Sequence, residues 1–286
     1  MTLSSIRLKP FGLRTSISIE NRQAPRRNDR TPRLWKRLGA SLLPPTLLIF
    51  ILTAGWELMA ALHPSPLIPR LADIGSEFFR IFAKGLFFSN MAATLGRVLL
   101  GFFLGFALAL AIGIPTARRA WWQAFLEPGI QLGLTVPGLV WALLCIIWFG
   151  VSTTGAAAAI AFSIAPALML NVYQGMRAVS PDLLEVAQVL NLSPLVRLRY
   201  LWLPALIPFL LSSSRLGLSL AWKVIVLVEV FGMSSGVGYQ LNSEFSAQNV
   251  AGVIAWTLAF CAVMAAIEYG LLRTLERRVT RWRRMP

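Results

Sequence analysis

The sequence predicts an all-α membrane protein with six transmembrane helices, and three observations predict this fold class. Of the 286 residues, 56% are hydrophobic and only 14% are charged, so lipid must be part of the solvent of the chain. Apolar runs long enough for a bilayer span of about 20 residues occur six times. The basic residues lie mainly on one side of those runs, as the positive-inside rule requires.

The six predicted spans follow one another with short connections. The third span is long and contains Pro128 and Pro137, so we expect it to be kinked or partly interfacial. Glycine and alanine are frequent in several spans, which lets helix backbones approach closely and favours a packed bundle. The spans are Leu42–Leu62, Met91–Ile114, Trp121–Gly150, Ala156–Met176, Ala205–Phe231 and Val250–Leu272.

Lysine and arginine are distributed unevenly between the two sides of these spans. With six spans, twenty-one of the 27 basic residues fall on one side. They lie in an N-terminal arm (1–40), at Arg118 and Arg119, in the connection 177–204 and in a tail (273–286). The opposite side carries only Arg70, Arg80 and Lys84. We therefore expect a protein of the inner (plasma) membrane with both termini in the cytosol.

The same distribution divides the chain into three parts. Residues 1–40 are rich in Arg, Ser and Pro and predict a mobile, basic cytosolic arm. Residues 41–272 form the transmembrane domain, and 273–286 form a short basic tail. The net charge of +15 follows from these flanks, and no aromatic and basic interleaving indicates nucleic-acid binding.

The connection between the fourth and fifth spans contains two short helix signals. Ser180-Pro181 and Ser193-Pro194 each place a capping hydroxyl before a proline at the first helical position. In the first predicted helix, Leu183, Ala187 and Leu190 form an apolar stripe with Val186 beside it. Such a helix either lies on the bilayer or enters a groove on a partner.

Particular residues of this connection resemble a known family. Glu185-Val186-Ala187, Asn191 four positions later, and Leu203-Pro204 are similar to the EAA loop of ABC importer permeases. The stretches "TLGRVLLGFFLGFALALAIGIP", "WFG" and "RLGLSLAWKVIVLVEVFGMSSGVGY" resemble the sulfonate/nitrate/taurine branch of that family. The resemblance runs from about Trp56 to the C-terminus.

Two positions depart from the family pattern. Val186 replaces the first alanine, which is a mild change on a helix, and Asn191 stands where the family has glycine. That glycine lets the chain turn between the two short helices. Asparagine is the non-glycine residue that best tolerates the left-handed conformation, so we expect the turn to survive.

The resemblance implies a MetI-like type I importer permease fold with cytoplasmic coupling helices. It further implies a homodimer that works with cytosolic ABC ATPase subunits and an external solute-binding protein. The ATPase-coupling residues would be Leu183, Glu185, Val186, Ala187, Leu190 and Asn191, with Leu203 and Pro204 as the hinge into the fifth span. The cargo would be a small organic or inorganic oxyanion such as sulfonate, taurine or nitrate.

Charged residues fall in or near the predicted spans, where an ionisable group is costly unless it is paired or hydrated. They are Glu57, Arg97, Arg215, Lys223, Glu229 and Glu268. Arg97, Arg215, Lys223 and Glu229 are the candidates for a translocation path. The alternative is structural, with the arginines reaching an interface or holding neighbouring helices together and Glu229 near the outer end.

Several kinds of site are missing from the sequence. It contains no G-x-x-x-x-G-K-[ST] motif, so we expect ATP to be bound by a partner and this chain to carry no cofactor. A single histidine, His63, does not provide a metal site. An ion-coupled secondary transporter is the alternative function, although no inverted repeat is evident. An intramembrane enzyme would need a nucleophile and base set that the sequence does not mark.

Overall fold

The computed structural model describes residues 34–272. Throughout that range the regular elements are helical. They are α1 (Leu34–Leu62), α2 (Leu71–Ala83), α3 (Leu86–Arg118), α4 (Ala120–Thr135), α5 (Gly138–Phe149), α6 (Thr153–Arg177), α7 (Pro181–Val189), α8 (Pro194–Arg197), a π-helical turn (Leu198–Trp202), α9 (Leu203–Gly232), α10 (Val237–Ser246), α11 (Val250–Ala265) and a second π-helical segment (Ala266–Leu272).

Four helices of the described part are long and apolar enough to cross a membrane, and two bent helix pairs raise that number to six if each pair is one span. The four are Pro44–Leu62, Leu86–Ala117, Thr153–Arg177 and Val250–Gly270. One bent pair is α4 with α5, at 101°, and the other is the helix Pro194–Gly232 with α10, at 50°. The predicted all-helical membrane fold is therefore confirmed.

Only one of the two prolines in the third predicted span breaks its helix. Pro128 lies inside α4, whereas α4 ends just before Val136 and Pro137. Val136 is extended, with ψ 121°, because the ring of a following proline disfavours the helical conformation. The kink expected in this span is thus a bend of 101° between two helices.

Two connections between the predicted spans contain helices of their own. Helix α2 (Leu71–Ala83) lies between the first and second predicted spans, and α10 (Val237–Ser246) lies between the fifth and sixth. Arg80 joins these two helices through a 2.7 Å ion pair with Glu244. Burial lowers the pKa of Arg80, but its hydrogen bonds with Glu77 and Glu244 outweigh burial and raise that pKa.

The ends of the chain are described only in part. Helix α1 begins at Leu34, inside the segment 1–40 that the sequence assigns to a mobile arm. The described residues up to Leu52 belong to one unit, and a second unit begins at Thr53. The remainder of the predicted arm and the tail 273–286 lie outside the described residues.

Helix α6 forms the centre of the second unit. Most of its side chains are buried, including every residue from Ala156 to Ala161. Its neighbours α3 and α9 approach it closely because they present glycine at the contact. A Cβ atom at Gly101 would lie 2.6 Å from the Cβ of Ile160, and one at Gly217 would lie 3.0 Å from Leu168. Such close backbone approach is how membrane helices gain packing energy without a hydrophobic effect between them.

We predict that Gly101→Ala lowers the thermal unfolding midpoint of the purified protein, because the added methyl overlaps Ile160 and the Ala157 carbonyl. Overpacking of this kind costs about 1–3 kcal/mol. Gly96→Ala on the same helix is the matched control, since nothing lies within 4 Å of its Cβ position. Alanine favours a helix over glycine, so the control should melt at the same or a higher temperature. Equal midpoints for the two variants would contradict the close packing of α3 on α6.

Candidate functional site

The connection between α6 and α9 contains the two predicted short helices, α7 and α8. Each begins at a proline in the first helical position, Pro181 or Pro194. The Ser193 hydroxyl accepts a hydrogen bond from the Val196 amide at 3.4 Å, as its capping role predicts. The prediction for Ser180 is wrong, because its side chain makes no capping hydrogen bond. Its backbone carbonyl accepts from Leu184 instead.

Asn191 forms the turn between the two helices in the left-handed conformation, with φ 49°. The Leu192 amide donates to the Ala187 carbonyl at 3.1 Å, and the Asn191 amide donates to the Gln188 carbonyl at 2.9 Å. This pair of bonds is the Schellman motif, which satisfies the last carbonyls of a helix and normally places glycine at the turn. Asparagine therefore supports the turn in this chain without glycine.

Helix α7 presents an apolar face outward, and this face differs from the predicted stripe. Leu183, Val186 and Leu190 are 51%, 53% and 63% exposed, but Ala187 is turned into the protein and only 2% exposed. Val189, which the predicted stripe did not include, is the most exposed large hydrophobic residue of the helix at 81%. At 100° per residue, the four exposed side chains fall within about 120°, and Glu185, itself exposed, lies at the edge of this arc.

The chain continues from α8 into α9 without a break. The Leu203 amide donates to the Leu198 carbonyl, five residues earlier, which closes a π-helical turn over Leu198–Trp202. Pro204 then falls in the first turn of α9, where a proline is tolerated. The predicted hinge residues Leu203 and Pro204 thus lie directly after a widened helical turn, and their role as a hinge stays a prediction.

Two of the four predicted intramembrane charges form a buried ion pair. Arg97 of α3 and Glu229 of α9 are 2.7 Å apart, and both are buried. Glu229 also accepts from the Thr94 hydroxyl at 2.9 Å and from the Gly238 amide at 2.9 Å. Arg97 extends to Ser235, donating to its carbonyl and hydroxyl oxygens at 2.7 Å. The pair thus joins α3, α9 and the turn that leads into α10.

The turn before α10 closes tightly over the Glu229 carboxylate. Gly236 has φ 110°, and a Cβ atom there would overlap the Glu229 carboxyl group. The Gly236 amide donates to the Asn90 side chain, and the Val237 amide donates to Thr94, each at 2.9 Å. Asn90 and Thr94 were not predicted from the sequence. Their signal is that each is a polar residue in or beside an apolar run.

The other two candidates differ from this pair because both are exposed. Arg215 forms an ion pair with Glu268 at 3.0 Å, which links α9 to the π-helical segment after α11. Lys223, near the middle of α9, forms no ion pair with any residue that the structure describes. Glu127 of α4 is an exposed carboxylate that hydrogen-bonds Gln123 at 3.1 Å, and the sequence analysis did not single it out.

Comparison with known proteins matches residues 101–281 to the family described as the binding-protein-dependent transport system inner membrane component. The chain belongs to this family. It is 32% identical, over 87% of its length and 90% of the relative, to a protein named as an aliphatic sulfonates transport permease, SsuC, of Bacillus subtilis. It is 28% identical, over 82% of its length and 87% of the relative, to the taurine transport system permease protein TauC of Escherichia coli.

Solved structures show the same fold at low sequence identity. The MetNI methionine ABC transporter in an inward-facing conformation matches with a TM-score of 0.58 at 15% identity, over 65% of this chain and 93% of that chain. An amino acid ABC transporter with histidines matches with a TM-score of 0.57 at 22% identity, over 70% and 96%. The permease is thus a multi-pass inner-membrane subunit of an ABC importer, and its function is transport rather than catalysis.

We predict that Arg97→Met strongly destabilises the permease, because it leaves the Glu229 carboxylate buried without its cation. Breaking one side of a buried pair costs about 3–5 kcal/mol. Arg215→Met is the matched control, since it breaks an exposed pair that contributes about 1 kcal/mol or less. Thermal unfolding of both variants in detergent measures the difference. A control that is destabilised as much as Arg97→Met would show that burial of the pair does not matter.

Proposed function

We propose that two copies of this permease form the translocation path of an importer whose ATPase subunits bind to the α7–α8 segment. The observation that carries this proposal is the outward apolar face of α7, formed by Leu183, Val186, Val189 and Leu190. A soluble protein surface seldom exposes so many large aliphatic side chains on so short a helix without a partner to cover them. The Schellman turn at Asn191 and the cap at Ser193 hold the segment in one shape, which suits a docking element.

The connection from this segment to the membrane supports a role in coupling. The helix Pro194–Gly232 runs without a break from the docking segment into the bilayer. A displacement of α7 and α8 is therefore passed directly to α9, whose opposite end lies at the Glu229 cluster. In this scheme the ATPase binds the ATP, this chain carries no cofactor, and an external binding protein delivers the solute.

We further propose that the cargo is a small organic oxyanion of the sulfonate or taurine class. Three relatives of this chain are named for such cargo: the SsuC proteins of Bacillus subtilis and Escherichia coli, and TauC. A fourth relative, RibX of Chloroflexus aurantiacus, is named for riboflavin transport. Uptake of radiolabelled taurine and of riboflavin by cells that express the complete system distinguishes the two classes.

We predict that Val186→Lys abolishes co-purification with a co-expressed ABC ATPase, because a charge would be buried in the centre of the apolar contact. Gln188→Lys is the matched control, since it adds the same charge to an exposed position of α7 outside the apolar face. The control should retain the ATPase, and both variants should unfold at the wild-type temperature. Retention of the ATPase by Val186→Lys would overturn the docking role of this face.

We also predict that both ends of the chain and α7 lie in the cytosol, as the concentration of basic residues on that side supports. The exposed Cys261 is first replaced by alanine. A membrane-impermeant maleimide added to intact cells should then label Ser243→Cys of α10 but not Gln188→Cys of α7. Permeabilised cells should show both labels. Labelling of Gln188→Cys in intact cells would reverse the topology and exclude contact with a cytosolic ATPase.

A further inference from the structure

One face of α9 carries polar side chains along an apolar membrane helix. Ser212, Ser219 and Lys223 fall within about 40° of one another at 100° per residue. The opposite side of the helix is buried, from Ser213 and Gly217 through Ala221, Val224 and Val228. Ser212 and Lys223 are exposed and Ser219 is half-buried. We call these three residues the polar stripe of α9.

Lys223 is the charged member of this stripe, and its charge indicates what surrounds the stripe. It stands nine residues before the end of α9 at Gly232, about 13 Å along the helix, which is close to half of the hydrocarbon thickness of a bilayer. A lysine so deep in the membrane cannot reach the outer interface and is costly against lipid. Its ammonium group therefore requires water or an anion beside it.

The other deep cations of the permease have their anions within the chain. Arg97 is paired with Glu229, and Arg215 is paired with Glu268. Lys223 points about 120° away from Glu229 around α9 and has no acidic partner among residues 44–270 whose side chains the structure describes. Of the three basic side chains that the structure describes in α3 and α9, Lys223 alone has no ion-pair partner among the described residues.

We propose that the polar stripe of α9 lines the aqueous path and that Lys223 binds the anionic group of the transported solute. Along the helix axis, Ser219 and Ser212 lie about 6 Å and 16 Å from Lys223 toward the inner end. Their hydroxyls offer hydrogen bonds to the same anion as it moves. This assignment rests on the proposed function, because it needs a path at this face of α9. A lysine and two hydroxyls along the path would favour small anions without forming a closed pocket.

The proposal is tested with two thiol reagents of opposite charge in membranes that contain the complete system. Ser219→Cys is made in a background with Cys261→Ala, and its reaction rates with sulfonatoethyl and trimethylammonioethyl methanethiosulfonate are measured. The first reagent is itself an organic sulfonate. Lys223→Met should lower the anion-to-cation rate ratio about tenfold, as expected for loss of a unit charge about 6 Å away. Lys223→Arg should keep the ratio.

Two results would overturn the proposal. An anion-to-cation rate ratio that is the same with Lys223 and with Met at that position would show that the ammonium group does not act on anions in the path. Neutralisation of Lys223 by a carboxylate of a second copy would give this same result. Failure of Ser219→Cys to react faster than Leu258→Cys, on the exposed apolar surface of α11, would show that the stripe faces lipid. The ATPase co-purification above remains a separate readout, so a failure of docking is distinguished from a failure of anion binding.

Discussion

The buried carboxylate of Glu229 is the interaction on which the end of the helix bundle beside α10 depends. It accepts hydrogen bonds from α3, through Thr94 and Arg97, and from the first turn of α10, through Gly238. A carboxylate taken out of water is tolerated only when its charge and lone pairs are satisfied. The groups that donate to this carboxylate belong to separate helices. The buried charge therefore fixes the positions of these helices relative to one another.

The same constraint explains why α10 folds back after α9. The Met233–Gly236 turn brings the amides of Gly236, Val237 and Gly238 toward Asn90, Thr94 and Glu229. Glycine at 236 and 238 leaves room for this approach. The middle of the bundle is held differently, by close contact of Gly101 of α3 with Ala157 and Ile160 of α6. Polar bonds therefore hold one end of the bundle, and close packing holds its middle.

Sequence patterns predicted the helical membrane fold, the short helices at Pro181 and Pro194, and the left-handed turn at Asn191, because each depends on local chemistry. They did not predict which face of α7 is outward, since Ala187 is buried by tertiary packing that periodicity does not reveal. They identified Arg97, Arg215, Lys223 and Glu229 as unusual charges. Whether each charge had a partner depended on residues more than 50 positions away, as in the pairs Arg97–Glu229 and Arg215–Glu268. The roles of the α7 residues in ATPase coupling stay predictions.

The π-helical turn at Leu198–Trp202 joins α8 and α9 into one continuous rod. From Pro194 to Gly232 this rod is about 58 Å long at 1.5 Å per residue, nearly twice the hydrocarbon thickness of a bilayer. A tilt of about 10° around its centre would sweep each tip through about 5 Å, roughly the pitch of one helical turn. A small change in the angle of this rod is thus magnified into a displacement of several ångströms at both of its ends.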